Sequence, residues 1–564
     1  MITIKNVYPE IDGAKYPVKT ETDIPFQVSA DVYCQNPVNV WIKYRIKQDV
    51  PAAWKKIKMK KADGLKWCGE IKFTKAGRYE YTIEAGLTGS TKEKVLYGLT
   101  PEVIVNKPYA RFAAWYEMFS RSQGKKPGKS ATFKDMEERL KDIKKMGFNV
   151  VYLVPIHPIG RTARKGPNNS LFTGPNDPGC PWSIGNEQGG HKAIDPDLGT
   201  LDDFRSFVKK AERMEMKIAL DIAFNCSRDH PYIKEHPGWF LYNADGTLKF
   251  AENPPKKYED TVFFNFYPED KEALWEELKS IVLFWIDKGV KIFRIDNPHT
   301  KPNEFWQWIL PEIKKVFPDV IFLSEAFTHY DKLEELAKIG FDQSYTYFTW
   351  RNEKNELMEY IGKLTNSILR WYLRGNLFTN TPDICPPFIQ TGGRPAFKIR
   401  LALASTMSSV YGMYNGFELC EADAFPGTEI YRNSEKYEYK VWDWDRPGNI
   451  KDYIGRLNKI REENPALHYY DNLRFCNSTN EHIISYYKTS PDRKNTIIIA
   501  VNLNPFETQT TRLTVPVEEF GIGSGEEYKV RELITDIVYT WRGRDNIVVL
   551  NPHDDPAQIF RIEG

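Results

Sequence analysis

The chain has 564 residues, enough for three or four domains and a large buried core. Its 78 basic and 76 acidic residues leave a formal charge of +2, which argues against nucleic acid or an anionic membrane as the main partner. No run could span a bilayer, the first ten residues lack the apolar centre of a signal peptide, and the seven cysteines have no zinc or redox spacing, so a cytoplasmic protein with free thiols is expected.

Residues 1–106 read as all-β. Runs such as Pro25–Tyr33, Val40–Lys47, Leu65–Phe73, Arg78–Ala85 and Pro101–Val105 are rich in aromatic and β-branched residues, and turn residues separate them. This spacing predicts an immunoglobulin-like β-sandwich, read as a spacer or interface module. From 107 to 465 the pattern becomes strand, loop, helix, strand. Phe133, Met136, Leu140 and Ile143 keep helical spacing, and Thr200 with Asp203 three residues on looks like a capping box. Candidate strands are Ala113–Met118, Val150–Val154, Ile218–Ala223, Lys291–Asp296, Val320–Ser324, Ser344–Phe348, Leu377–Asn380 and Ser408–Tyr414. Strands alternating with helices in this number predict an α/β fold, a (β/α)8 TIM barrel with its active site at the carboxyl ends of the strands. The segments 155–191 and 225–266 are too long for simple βα loops and are placed over the barrel mouth. Residues 466–564 return to β-type runs, such as His482–Lys488 and Thr496–Asn502, and predict a C-terminal β-sandwich.

Val290–Ala326 carries the chemistry. Arg294 and Asp296 end one strand and Glu325 ends the next. Residues i and i+2 of a strand share a face, so Arg294 lies beside Asp296 and keeps its carboxylate charged. Glu325 would feel that negative charge and any apolar surroundings, and hold its proton more tightly. One ionised and one protonated carboxyl are what glycosidic chemistry needs: a nucleophile for C1 and an acid for the departing oxygen. An isolated Arg–Asp pair is more often structural, and Lys256-Lys257 alone reads as a solvated turn. The nine histidines are scattered without ligand spacing, and neither a metal nor an organic cofactor is implied.

Phe293-Arg-Ile-Asp296, Asp221-Ile-Ala-Phe-Asn225, Ser324-Glu325-Ala326, Phe378-Thr-Asn-Thr-Pro-Asp383 and Gly199-Thr-Leu-Asp-Asp-Phe204 resemble signature regions of the α-amylase superfamily. Within it, Lys165-Gly-Pro-Asn-Asn-Ser170, Ala251-Glu-Asn-Pro-Pro-Lys-Lys-Tyr258, Arg294-Ile-Asp-Asn-Pro-His-Thr-Lys-Pro302, Gln343-Ser-Tyr-Thr-Tyr-Phe-Thr-Trp350 and Ser434-Glu-Lys-Tyr437 resemble the maltose-1-phosphate maltosyltransferases. The resemblance implies transfer of maltosyl units from α-maltose 1-phosphate to the non-reducing end of an α-1,4-glucan or malto-oligosaccharide, with retention. It implies Asp296 as nucleophile, Glu325 as general acid and base, and Asp383 as transition-state stabiliser. Phosphate would fall to Asn253, Lys256, Tyr258, Arg294 and Asn297, and maltosyl hydroxyls to Lys165, Asn169, Asn225, Asp383, Lys436 and Tyr437. Asn380-Thr-Pro-Asp383 lacks the histidine that amylases carry there, and Cys226 replaces another; both departures lead away from starch hydrolysis. The rival reading is a glucanotransferase or amylase-type hydrolase acting on malto-oligosaccharides. Two departures run against the maltosyltransferase pattern itself: Asn225 stands where glutamine is expected, and Val105-Asn-Lys-Pro-Tyr-Ala110 leaves no room for the helical bundle that precedes the barrel, which puts the usual family dimer in doubt.

Overall fold

The computed structural model describes residues 1–47, 52–89, 93–253 and 256–563. Its centre is a closed barrel of parallel strands in chain order: β1 (Ala113–Met118), β2 (Val150–Leu153), β3 (Lys217–Ile222), β4 (Ile292–Ile295), β5 (Ile321–Ser324), β6 (Gln343–Tyr345), β7 (Gly375–Phe378) and β8 (Val410–Tyr414), which pairs back on β1. The expected strands are all present. The sixth is shorter than Ser344–Phe348, because the Thr346 hydroxyl accepts from Phe348 N and caps a 3-10 turn over Tyr347–Trp350.

The crossover helices start where the sequence signals them. Thr132 and Thr200 each accept from an aspartate amide at the third helical position, and that aspartate accepts from the cap's own N–H. These two capping boxes open the helices Phe133–Lys145 and Leu201–Arg213, and losing either threonine oxygen costs about 1 kcal/mol. Phe133, Met136, Leu140 and Ile143 form the buried face of the first helix.

One parity of side chains fills the barrel. Ala113, Trp115, Val150, Tyr152, Ala219, Ile292, Ile321, Leu323, Tyr345, Phe378 and Val410 pack into one cluster. Gly412 on β8 makes room for the Phe378 ring, since a Cβ there would lie 2.5 Å from it. Continuing the same alternation to the carboxyl ends of the strands brings up Glu117, Asp221, Arg294, Asp296 and Glu325. The interior therefore changes from apolar packing to charged groups within about one strand step of 7 Å.

Over this end stand two long connections. Residues 225–266, read from sequence as a loop, contain a three-stranded antiparallel sheet of Asn225–Ser227, Lys256–Phe263 and Phe250–Asn253. Its outer ribbon is polar, so the apolar alternation that betrays a strand is missing. Pro254 and Pro255 of the motif quoted above lie outside the described residues. Residues 155–191 are mostly extended and tied by bridges such as Ile159–Ile184 and Asn186–Gly189.

A two-sheet sandwich precedes the barrel and another follows it. The first is locked on by buried ions: Arg374 pairs with Glu21 at 2.5 Å, and Lys19, 2 % exposed, donates to Ala337 O at 2.7 Å. Strand Glu102–Asn106 leads through a 3-10 turn at Pro108–Ala110 straight into β1, with no helical bundle between. Among the described residues no helix is long and apolar enough to cross a membrane.

Candidate active site

Register, not sequence proximity, assembles the site. On the paired strands β3 and β4, Asp221 is opposite Arg294, and the amide of Glu325, just past β5, donates to Ile295 O at 3.1 Å. The Arg294 guanidinium, 6 % exposed, bridges the three carboxyls these strands bring together. Nη1 donates to Asp221 at 2.9 Å and to Asp296 Oδ1 at 2.8 Å, while Nη2 contacts Glu325 Oε1 at 2.9 Å. A planar fork suits such bridging, and a lysine could not reproduce it. Both terminal nitrogens of Arg294 thus contact acids, and its Nε has no partner. The structure gives it the placement of Asp296 and Glu325; the phosphate contact that the resemblance implies remains an expectation.

Asn297 links the same two acids from the other side. It stands in the left-handed region at φ 43°, the conformation asparagine tolerates best after glycine. That turn sends its backbone N–H to Glu325 Oε2 at 3.1 Å and its amide nitrogen to Asp296 Oδ2 at 3.3 Å. Lys301, 3 % exposed, pins the turn by donating to Asp296 O at 3.2 Å and Asn297 O at 3.1 Å.

Charge balance constrains the protonation pattern. Asp221, Asp296 and Glu325 face two buried cations, Arg294 and Lys301, and burial raises the neighbouring Glu117 well above the usual carboxylate range, so the cluster is neutral when Glu117 and one further carboxyl keep their protons. Burial pushes Glu325 up to about 7, with the Asp296 charge adding to the shift and Arg294 opposing it. Burial also raises Asp221, which accepts from the Tyr152 hydroxyl at 2.5 Å and from Trp182 Nε1 at 3.2 Å. Asp383 differs. Burial would raise it, but Lys436 at 2.6 Å and Lys256 outweigh that and hold it well below the usual carboxylate range.

Asp296, Asn297 and Asp383 border a cavity of about 290 Å³. Of the residues singled out in the sequence, Lys165, Asn169, Asn225, Lys256, Tyr258, Asp296, Asn297, Asp383, Lys436 and Tyr437 line it. Glu325 and Arg294 lie behind Asp296 and Asn297. Asn253 is one contact removed: its amide donates to Asn297 Oδ1 at 3.2 Å, and its own oxygen faces His299 at 3.4 Å. Lys165 is 4 % exposed and paired with Glu259. Asn225 is buried with its amide oxygen unpartnered, an acceptor available to the cavity. Asp221 stands in a quoted motif that gives it no role, and the sequence offers no role for Tyr152, Trp182 or Lys301. Only the Asp221–Arg294 register would have exposed the first, and nothing local distinguishes the others from core residues.

The fold and this acid cluster define an enzyme of the α-amylase type, a barrel with its carboxyls at the carboxyl ends of the strands. Family models match the alpha amylase catalytic domain at residues 115–260, "Alpha-1,4-glucan:maltose-1-phosphate maltosyltransferase, domain N/S" at 1–87, and "GLGE, C-terminal" at 475–562. The Myxococcus xanthus alpha-1,4-glucan:maltose-1-phosphate maltosyltransferase is 43 % identical over 645 aligned positions, covering 100 % of this chain and 97 % of that protein. The Rhodospirillum rubrum protein of the same name is 52 % identical over 460 positions, covering 82 % of this chain and 67 % of its own. The chain belongs to the alpha-1,4-glucan:maltose-1-phosphate maltosyltransferase family. An alignment of 645 positions against 564 residues also means that the first relative carries residues this chain lacks. Among solved structures, the maltogenic alpha-amylase AmyB of Thermotoga neapolitana shares the fold with a TM-score of 0.62 at 21 % identity, covering 80 % of this chain and 98 % of that one.

Proposed function

We propose that the enzyme moves maltosyl units from α-maltose 1-phosphate to the non-reducing end of an α-1,4-glucan by two displacements at one carbon. In the first, an Asp296 carboxylate oxygen bonds to C1 as the C1–O bond to phosphate breaks, giving a β-maltosyl ester and free phosphate, which Glu325 assists as acid. In the second, Glu325 takes the proton from the acceptor's 4-hydroxyl, that oxygen bonds to C1, and the ester bond to Asp296 breaks. Two inversions give net retention.

The observation that supports this reading is the shared Arg294 fork, which holds Asp296 on the cavity wall with Glu325 beside it, while burial raises Glu325 to about 7. A group near pKa 7 serves best when it must give a proton in one step and take one in the next. Lys256 and Tyr258 on the cavity wall, with Asn297 beside the nucleophile, supply donors for a phosphate. Lys165, Asn169, Asn225, Lys436 and Tyr437 supply the polar wall for the two sugar rings, and Asp383 holds an ionised carboxylate for the oxocarbenium-like transition state.

The deciding experiment mixes the protein with maltose 1-phosphate and a short maltodextrin. Phosphate released in step with chain growth by two glucose units is the expected result. Maltodextrin that is cut or redistributed with no phosphate released would establish the hydrolase or glucanotransferase instead.

A further inference from the structure

Two segments far apart in sequence supply part of the active-site cavity wall, and one buried side chain holds both. Arg121, 6 % exposed, stands in the 3-10 turn Ser120–Ser122 just past β1. Its Nη2 donates to Gly179 O at 2.7 Å and to Lys436 O at 2.8 Å, and its Nε donates to Glu435 O at 3.0 Å. Trp182 lies shortly after the first carbonyl and Tyr437 directly after the second, and both line the cavity together with Lys436. The side chains of the two segments also meet. Lys436 Nζ lies 4.8 Å from the centre of the Trp182 ring and donates to Asp383 Oδ1 at 2.6 Å, while Trp182 Nε1 donates to Asp221 at 3.2 Å. The buried Glu435 carboxyl ties the second segment to the end of β8, accepting from Asn415 Nδ2 at 2.7 Å and from the Tyr414 hydroxyl.

Gly179, Glu435 and Lys436 lie outside helices and strands, so their carbonyls have no ladder partner and depend on a donor from elsewhere. A planar guanidinium reaches three oxygens at fixed spacing, and an ammonium on a flexible stem cannot. We propose that Arg121 is a positioning residue for the donor substrate. It does not itself line the active-site cavity. It fixes the 434–437 segment against the 179–182 segment, and so sets the Lys436 ammonium against Asp383 and the Trp182 indole against Asp221. That the donor is maltose 1-phosphate rests on the function proposed above. Asp296 and Glu325 are held by Arg294 and the β4–β5 register, not by this clamp, so its loss falls on binding more than on chemistry.

The test compares Arg121→Lys and Arg121→Ala with the wild type, in steady-state phosphate release from maltose 1-phosphate and in maltose binding by calorimetry. Lysine keeps the charge and loses the fork. The KM of Arg121→Lys should rise about tenfold, the scale of one charge-assisted hydrogen bond, with kcat lowered by less than about threefold. Arg121 also borders a separate cavity of about 420 Å³, so methylguanidinium can reach the place that Arg121→Ala vacates, and it should lower the raised KM of that variant several-fold. An unchanged KM, a kcat that falls as far as the KM rises, or a raised KM in Arg121→Ala that methylguanidinium does not lower would overturn the proposal, whatever happens to the Tm. Should Arg121→Ala not fold, the KM and kcat of Arg121→Lys decide alone. Maltose affinity reads the clamp without the reaction. It should weaken about tenfold in Arg121→Lys even if the wild type releases no phosphate, so failure of maltosyl transfer and failure of the clamp are told apart. Equal maltose affinity in the two proteins, or none in the wild type, would sink the positioning role.

Discussion

Replacing Glu325 by alanine separates the two half-reactions. The structure makes the variant tolerable. Glu325 is the carboxyl that burial disposes to be neutral, so its loss leaves Asp221 and Asp296 against Arg294 and Lys301, still a balanced cluster. What goes is the proton path. General acid–base help is worth about 10²–10⁴-fold, or about 3–5 kcal/mol of barrier. Phosphate is a good leaving group and needs little of that help, whereas the acceptor's 4-hydroxyl needs its proton removed. The first step therefore slows less than the second, and the maltosyl ester accumulates. Rapid-quench measurement of phosphate should show a burst of about one per enzyme followed by slow turnover. Intact-protein mass should rise by one maltosyl unit, mapped to the peptide carrying Asp296. In the wild type, single-turnover phosphate release should decline as pH rises through about 7, and the variant should lose that limb. An adduct on another residue, or equal losses in both steps with no adduct, would refute the assignment.

Arg294→Met removes the guanidinium that bridges Asp221, Asp296 and Glu325; stranding buried carboxylates costs about 3–5 kcal/mol, read as a lowered Tm alongside lost activity. Lys436→Met takes away the partner that holds Asp383 ionised at 2.6 Å, so the KM for the donor should rise by about tenfold or more with the fold intact by circular dichroism. Lys301→Met takes the side-chain donor from the Asp296 carbonyl, while the Asn297 carbonyl keeps Thr300, and removes a cation from beside Glu325. Transfer should fall by about tenfold and the alkaline limb of phosphate release should move to higher pH.

What the sequence disclosed and what it hid divide along a physical line. Alternation and spacing are local, so the Arg294–Asp296 pair on one face of β4, the capping box at Thr200 and the barrel strands could be read directly. Partnerships set by register are not local. Asp221 becomes the anchor of Arg294 only because β3 and β4 pair with those residues opposite each other, and Tyr152 and Trp182 reach it from outside that pair. The sheet within 225–266 hid because Lys256–Glu259 is polar on both faces. For Arg294 the motif implied a phosphate contact, and the geometry adds its hold on Asp221, Asp296 and Glu325.

Beneath the 155–191 segment lies a chain of histidines whose protons are ordered by their neighbours. Tyr232 N donates to His230 Nδ1 at 3.1 Å; His230 Nε2 faces His191 Nδ1 at 3.1 Å; His191 Nε2 reaches Ala223 O at 2.9 Å. The chain closes only if both rings are neutral, since a further proton on either sets two N–H groups against each other or against the Tyr232 amide. Burial accordingly lowers His191 to about 4, with the Ala223 and Asn225 backbone opposing it, and lowers His230 as well through burial and the neighbouring histidines. Both folded pKa values lie below the unfolded value of about 6.5, so this stability is complete above that pH. It is lost as pH falls from about 6.5 to about 4, amounting to about 3 kcal/mol for His191 alone. Buried acids such as Asp195 and Asp260, each raised to about 6 by burial, act in the opposite sense over part of that range. A difference measurement removes them. Glutamine at 191 keeps an acceptor for His230 and a donor for Ala223 but does not titrate. Denaturation free energies of the wild type and His191→Gln should converge by about 3 kcal/mol between pH 6.5 and 4. Parallel curves would show that His191 is charged in the fold or that its protonation is paid for elsewhere in the molecule.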